Sequence, residues 1–274
     1  MEYFGGFMKQ IFSLFTLFLI FSTSNSFAMQ RELKEPSSRI RTAVERALKA
    51  FGVPVDSIKI YEEKNGQATG WANSDKKEIG IDSEIKSNDL LNYASFHEAA
   101  HIKDDASNKI LSQARQFIAA ITTGSFLFQS FLIPKTFNKI AQFKKKTPWD
   151  FFGATIATSI AAGYFMQNAA LQWAMEQAEY RADRMAFEKL IEHNDFEPIC
   201  IALATKKAEQ KVKGNTRSGG HGPASQEFNS MKNTLQNHGF TVQTSKNATN
   251  LEIAITKNEN VYASGILKNY FSKF

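Results

Sequence analysis

Apolar positions recur at helical spacing near the start of the chain, where Ile40, Val44, Ala47, Leu48 and Phe51 follow Pro36-Ser37-Ser38 and Gly52 closes the run. That spacing predicts an amphipathic packing helix. From Ser57 to Asp82 the period shortens. The alternating pieces Ile58-Lys59-Ile60-Tyr61 and Glu78-Ile79-Gly80-Ile81-Asp82, set apart by turn residues at Asn65-Gly66 and Asn73-Ser74-Asp75, predict a small antiparallel sheet. Ser87-Asn88-Asp89 then offers capping side chains to a helix that runs without Gly or Pro through Leu90, Leu91, Tyr93, Ala94 and Phe96 to His101.

Two long uncharged stretches follow, Gln116 to Pro134 and Phe151 to Trp173, joined by a connection bearing Lys135, Lys139, Lys144, Lys145 and Lys146. Each is long enough to cross a bilayer, and lysines between them would hold the connection on the cytoplasmic side. Gln116, Thr122, Thr123, Gln129, Gln167 and Asn168 dilute their hydrophobicity, which equally suits two helices of a soluble domain. Further helices are predicted over about 172–193, over 197–213 ahead of Gly214, and over about 225–237 ahead of His238-Gly239. Two strand-like runs, Phe240-Thr241-Val242 and Leu251-Glu252-Ile253-Ala254-Ile255, complete the pattern. The fold class expected is α+β and predominantly helical, with a small antiparallel sheet and a hydrophobic helical hairpin as an insert at 112–173.

The first 28 residues stand apart. Lys9 leads into the apolar run Ile11 to Phe21, and Ser26-Phe27-Ala28 sets small residues at the positions an export peptidase reads. This segment is expected to be a signal peptide or an N-terminal anchor, either of which delivers the rest across the inner membrane, to the periplasm or to the membrane face turned toward it. The organisation expected is 1–28 for export, 29–238 for one enzymatic domain, and 239–274 for a short β-rich extension.

Composition changes little in this picture. A chain that is 43% hydrophobic and 22% charged folds. Its net charge of +6 suits anionic lipid or simple solubility. The lysines fall in a loop and a late helix rather than on a face with interleaved aromatics, so nucleic acid is not an expected partner. The lone Cys200, in the apolar run Pro198 to Leu203, can form no intrachain disulfide and reads as a buried inert thiol.

The chemistry lies in His97-Glu98-Ala99-Ala100-His101. On a helix, residues four apart project from one face a turn apart, so His97 and His101 can share one small cation. Imidazole suits zinc, and a catalytic zinc site uses three protein ligands with water at the fourth position. Glu98 lies beside His97, where its carboxylate can take a proton from that water. A compact site would supply its third ligand six residues past His101 after a glycine turn, but Ile102-Lys103-Asp104-Asp105-Ala106-Ser107 holds neither. An acid from a distant helix must serve instead. Glu176-Gln177-Ala178-Glu179-Tyr180-Arg181-Ala182-Asp183 offers Glu179 as ligand and, one turn on, Asp183 to hold a ligand histidine by its other nitrogen. Glu176 is a rival ligand.

These two segments resemble the motifs of the HtpX and CAAX-prenyl-protease family of gluzincin-type zinc peptidases. There HExxH is followed, after a mostly helical insert, by a Glu-x-x-x-Asp helix. The resemblance covers about 68–235 and implies a zincin-like metalloprotease domain with one Zn²⁺ per chain. It implies His97, His101 and Glu179 as ligands, Glu98 as catalytic base and Asp183 as support. Ala68-Thr69-Gly70-Trp71-Ala72-Asn73 resembles the family's substrate-lining edge strand, so Trp71, Ala72 and Asn73 are expected to hold an extended peptide by backbone hydrogen bonds. Gly220-His221-Gly222-Pro223 resembles a loop that brings a histidine near the metal, although Gly222 interrupts the family's His-Pro pair. His221 is thereby expected to stabilise the oxyanion or to latch the open metal position. The function implied is endopeptidase action on protein or peptide substrates, with membrane association. The alternative is a non-catalytic envelope chaperone or binding module with a structural or latched zinc site.

Overall fold

A computed structural model describes residues 33–64, 70–104, 109–110, 112–114, 116–118, 120, 148–213, 222–246 and 251–267. The export segment 1–28, the lysine-bearing connection, most of the first uncharged stretch and the loop carrying His221 lie outside the described residues.

The chain is α+β, with helices dominant. Strand β1 (Leu33–Lys34) leads to helix α1 (Ser38–Ala50), whose Ile40, Ala43, Val44, Ala47 and Leu48 are buried at the spacing the sequence predicts. Gly52 adopts φ +65° just beyond it, and Val53 N–H closes back on the Leu48 carbonyl at 2.9 Å, a left-handed helix stop that glycine makes at little cost. Strands β2 (Lys59–Glu63), β3 (Gly70–Asn73) and β4 (Glu78–Asp82) follow, then helices α2 (Asn88–Lys103), α3 (Pro148–Glu192), α4 (Glu197–Lys213) and α5 (Ala224–Asn237). Strands β5 (Thr241–Lys246), β6 (Leu251–Lys257) and β7 (Asn260–Leu267) complete the order.

The first sheet corrects the expectation of a wholly antiparallel one. Its order is β1-β2-β4-β3, with β3 antiparallel to β4 but β2 parallel to it, Ile60 opposite Ile79 and Tyr61 opposite Gly80. Alternation marks strands but not their neighbours, and a parallel pair needs a connection of about a dozen residues or more. Residues 64–77 meet that need because β3 itself lies within them. Strand β3 lies at the edge, and the Ser74–Lys77 turn leads from it into the middle of the sheet.

Two further differences concern length and number. The second uncharged stretch and the predicted 172–193 helix are one continuous helix, since nothing between Pro148 and Glu192 forces a break; Gly153 and Gly163 are tolerated inside it. Among the described residues no helix is long and apolar enough to cross a membrane. The C-terminal sheet has three antiparallel strands in the order β5-β6-β7 rather than two. The missed hairpin turns on Asn258 and Glu259, both at positive φ (50° and 65°). That turn type ordinarily advertises itself by Asn-Gly, and here Glu stands in the glycine's place.

One hydrophobic core joins these parts. Phe96, Phe187, Leu48, Ile79, Leu190, Ile199, Leu203 and Ile253 are fully buried, and a single cluster runs from Ile40 on α1 to Ala263 on β7. The C-terminal sheet therefore shares the core on which α2 and α3 rest.

Candidate metal centre

Helix α2 begins as its sequence requires, with Ser87 Oγ accepting from Leu90 N–H at 3.3 Å, which satisfies one of the first-turn donors. Its face toward the core carries Leu91, Ala94, Phe96, Ala99 and Ala100, all buried. Asp104, the residue that ends α2, accepts two hydrogen bonds from the Arg181 guanidinium on α3, at 2.9 and 3.0 Å. That paired geometry fixes how the two helices lie against each other.

On the facing side His97, His101 and Glu179 converge, their ligand atoms all within 4.8 Å of one another. His97 Nε2 lies 3.1 Å from His101 Nε2 and 3.1 Å from Glu179 Oε2, and His101 Nε2 lies 3.5 Å from Glu179 Oε1. The side chains retain 12%, 19% and 20% exposure, so solvent reaches the group. Two imidazole nitrogens and a carboxylate directed at one point could hold a metal ion, and this N,N,O donor set suits a borderline divalent cation. Of the two acids weighed for the third position, the structure brings Glu179 to the histidines. Glu176, one turn earlier, is buried and accepts from Gln172 Nε2 at 3.2 Å.

Asp183 stands where a ligand histidine needs support. Its Oδ1 accepts from His97 Nδ1–H at 2.8 Å, which commits that nitrogen to the proton and leaves Nε2 facing Glu179 and His101. The same oxygen accepts from the Tyr93 hydroxyl at 2.5 Å. Burial pulls the His97 imidazolium down, but the hydrogen bond and charge of Asp183, joined by those of Glu179, outweigh it and hold the group well above its ordinary value. Burial pushes Glu179 up, and the hydrogen bonds from His101 and His97 overcome it, so the carboxyl lies well below its usual range. Asp183 is lowered too, burial being outweighed by His97, the Lys206 charge and Tyr93.

Glu98 is 4% exposed and turns to the opposite neighbour, the edge strand β3. A side-chain carbon added at Gly70 would lie 2.9 Å from Glu98 Oε1 and 3.0 Å from the Gly80 carbonyl. The lack of a side chain at Gly70 is what allows the carboxylate to rest against the strand. Among the described residues β3 pairs with β4 alone and ends the sheet, the edge position expected of it. Trp71 points away from α2, its indole lying over Gly80 and stacked on Tyr61 with centroids 6.4 Å apart. Ala72 packs against the core, and Asn73 Oδ1 accepts from Lys76 N–H at 3.0 Å within the turn. Of these three residues, the backbone rather than the side chains is presented at the edge.

His221 lies outside the described residues. Gly222, next to it, is buried against Tyr180, whose hydroxyl would collide with any side chain there. Tyr180 also donates to Gln226 Oε1 at 3.1 Å, which ties the start of α5 to the residue following Glu179. Sequence reasoning missed Tyr93, Asp104 and Arg181. Tyr93 carried a signal, since it precedes His97 by four residues on the same helix; the Asp104–Arg181 pair carried none.

Comparison of the chain with protein-family models, with curated proteins and with solved structures gives no match. What the described residues define by themselves is an α+β chain with a His-His-Glu group able to hold a metal ion, backed by an aspartate and flanked by a buried glutamate on the edge-strand side.

Proposed function

We propose that the chain is a metallohydrolase, and within that class a zinc-dependent endopeptidase of gluzincin type with a zincin-like arrangement of edge strand and ligand helices. The observation that carries the reading is the meeting of His97 and His101 on one helix with Glu179 on another, 82 residues beyond His97 in sequence, with Glu98 against the edge strand. Zinc bonds of about 2.0–2.1 Å in a tetrahedral shell place ligand atoms about 3.3–3.4 Å apart. His97 Nε2 lies close to that distance from both His101 Nε2 and Glu179 Oε2, 3.1 Å in each case, while His101 Nε2 comes nearest to the other carboxylate oxygen, Oε1, at 3.5 Å.

When bound, zinc supplies a Lewis acid for a water and for the scissile carbonyl. The residues of the chain do the rest. His97, held through Nδ1 by Asp183, and His101 present neutral nitrogens to the ion, and Glu179 contributes negative charge that partly offsets it. Glu98 takes the proton of the attacking water and returns it to the leaving amine. The backbone of Gly70 to Asn73 offers hydrogen bonds to an extended peptide, which runs past Glu98 because Gly70 carries no side chain. Substrates are proteins or peptides on the exported side of the bacterial inner membrane, to which the apolar run Ile11 to Phe21 delivers or tethers the chain. In the same reading His221, from the glycine-rich loop ahead of α5, acts near the open metal position.

The test is Glu98→Gln. It keeps the size of the side chain and removes its basicity, so zinc content stays at the wild-type level while peptide cleavage falls at least about 10²-fold. Cleavage at the wild-type rate by a Glu98→Gln preparation free of other proteases would overturn the assignment.

A further inference from the structure

The oxygen of Asp183 that holds His97 has a second donor. Tyr93 O–H reaches Asp183 Oδ1 at 2.5 Å, and His97 Nδ1–H reaches the same atom at 2.8 Å. Tyr93 and His97 are four apart on α2 and so share a face, while Asp183 crosses to them from α3. We propose that Tyr93 is a positioning residue of the metal centre, acting through Asp183: its hydroxyl fixes the carboxylate rotamer that aims the His97 ring at the ion. The inference rests on the metal-centre reading above and goes beyond it in assigning a role to a residue outside the ligand and support set.

Three observations separate this from a buried tyrosine that merely satisfies its hydroxyl. The bond, at 2.5 Å, is at the short limit expected for O–H donation to a carboxylate. It lands on the oxygen that orients the ligand rather than on the other carboxylate oxygen or a backbone carbonyl. The Tyr93 ring is itself clamped, 7% exposed, edge-on to Phe187 at 6.0 Å and tilted against His97 at 5.9 Å, so the hydroxyl is delivered from a rigid mount. A carboxylate with only one donor can swing about its terminal torsion, which is broad and soft. Two donors on one oxygen remove that freedom.

Tyr93→Phe isolates the hydroxyl, since the ring and its packing remain. In the full chain, competition with a chromogenic chelator gives the Zn²⁺ dissociation constant, and Co²⁺ substitution gives the ligand-field spectrum of the site. The expected result is about a tenfold weaker Zn²⁺ dissociation constant with a shifted Co²⁺ absorption envelope, while the melting temperature of the metal-free protein moves little. Asp183→Ala weakens binding further, and Tyr93→Phe placed on top of it adds nothing, because the phenol then has no carboxylate to act through. An unchanged dissociation constant and Co²⁺ spectrum in Tyr93→Phe, or full additivity with Asp183→Ala, overturns the proposal. Should Asp183→Ala not fold, the single variant decides. Failure of the wild-type chain to bind Zn²⁺ defeats the metal-centre reading as well, whereas normal wild-type binding with an indifferent Tyr93→Phe defeats only this inference.

Discussion

In the proposed reading, a proton and a metal ion would compete for one place between His97 and Glu179. Asp183 and Glu179 raise the affinity of His97 for a proton well above the ordinary imidazole value, while Glu179 and Asp183 are held ionised into acid. The signs set the pH behaviour. In the metal-free protein the contribution of His97 to stability is complete below the unfolded imidazole value and is lost as pH rises through the raised folded one. The contributions of Glu179 and Asp183 are complete above the unfolded carboxylate values and are lost as pH falls through the lowered ones. A zinc ion needs a neutral imidazole nitrogen, so zinc bound at His97 would displace a proton held there. Calorimetry of zinc binding in buffers of different ionisation enthalpy should report release of about one proton, with apparent affinity climbing as pH increases. Release of none would mean that His97 is already neutral or is not a ligand. At this scale the candidate site was legible in part: the spacing of His97, Glu98 and His101 marks it, and the lack of a nearer acid directs attention to the helix carrying Glu179, which the structure brings to the two histidines. The choice of Glu179 over Glu176 was not, because helical periodicity places both acids one turn apart without saying which turn faces α2.

At the scale of elements, the site is a meeting of two helices and one strand, and the strand is the sensitive partner. Gly70 gives Glu98 room on β3, as Gly80 gives room to the Trp71 indole on the other face. Gly70→Ala puts a methyl carbon 2.9 Å from the Glu98 carboxylate, with the Gly80 carbonyl blocking retreat on the other side. Overpacking of this kind costs about 1–3 kcal/mol when the neighbour must shift. Because Glu98 is the side chain able to move, the displacement should appear as lost cleavage with zinc retained, measured by peptide turnover and metal content on one preparation. Turnover equal to wild type would place the working position of Glu98 away from β3. The strands were visible in the alternation of Ile58 to Tyr61 and Glu78 to Asp82, but their order was not. Period-two patterning fixes which face a residue takes and is silent on which strand lies beside which. The hairpin between β6 and β7 was hidden for a local reason, the use of Asn258-Glu259 where glycine would have flagged the turn.

Across the whole molecule, the C-terminal sheet and the helices that carry His97, His101 and Glu179 share one core. Ile253, Ile255 and Leu251 from β6 belong to the same cluster as Phe96 on the ligand helix α2, and Gly265 on β7 lies close against Cys200 on α4. Read from sequence, residues 239–274 were an extension without an assigned role, since short strands say nothing of the surface they will cover. Cys200 reports on that packing. Burial, with the charge of Glu197 adding to it, pushes its thiol up to about 12, and the reactive species is the thiolate. In the native chain at pH 8 the thiol should resist alkylation and react in full only after denaturant unfolds the core. Rapid native labelling would show that the C-terminal sheet lifts away from α4.

The central claim is that three side chains from two helices make one metal site. Metal content, measured on purified wild-type protein and on Glu179→Ala after equilibration with limiting zinc, tests it most directly. The account predicts one zinc per wild-type chain, and a sharp loss in the variant with the fold intact by circular dichroism. Wild-type protein that holds no zinc, or a Glu179→Ala form that holds it as tightly as wild type, would contradict it.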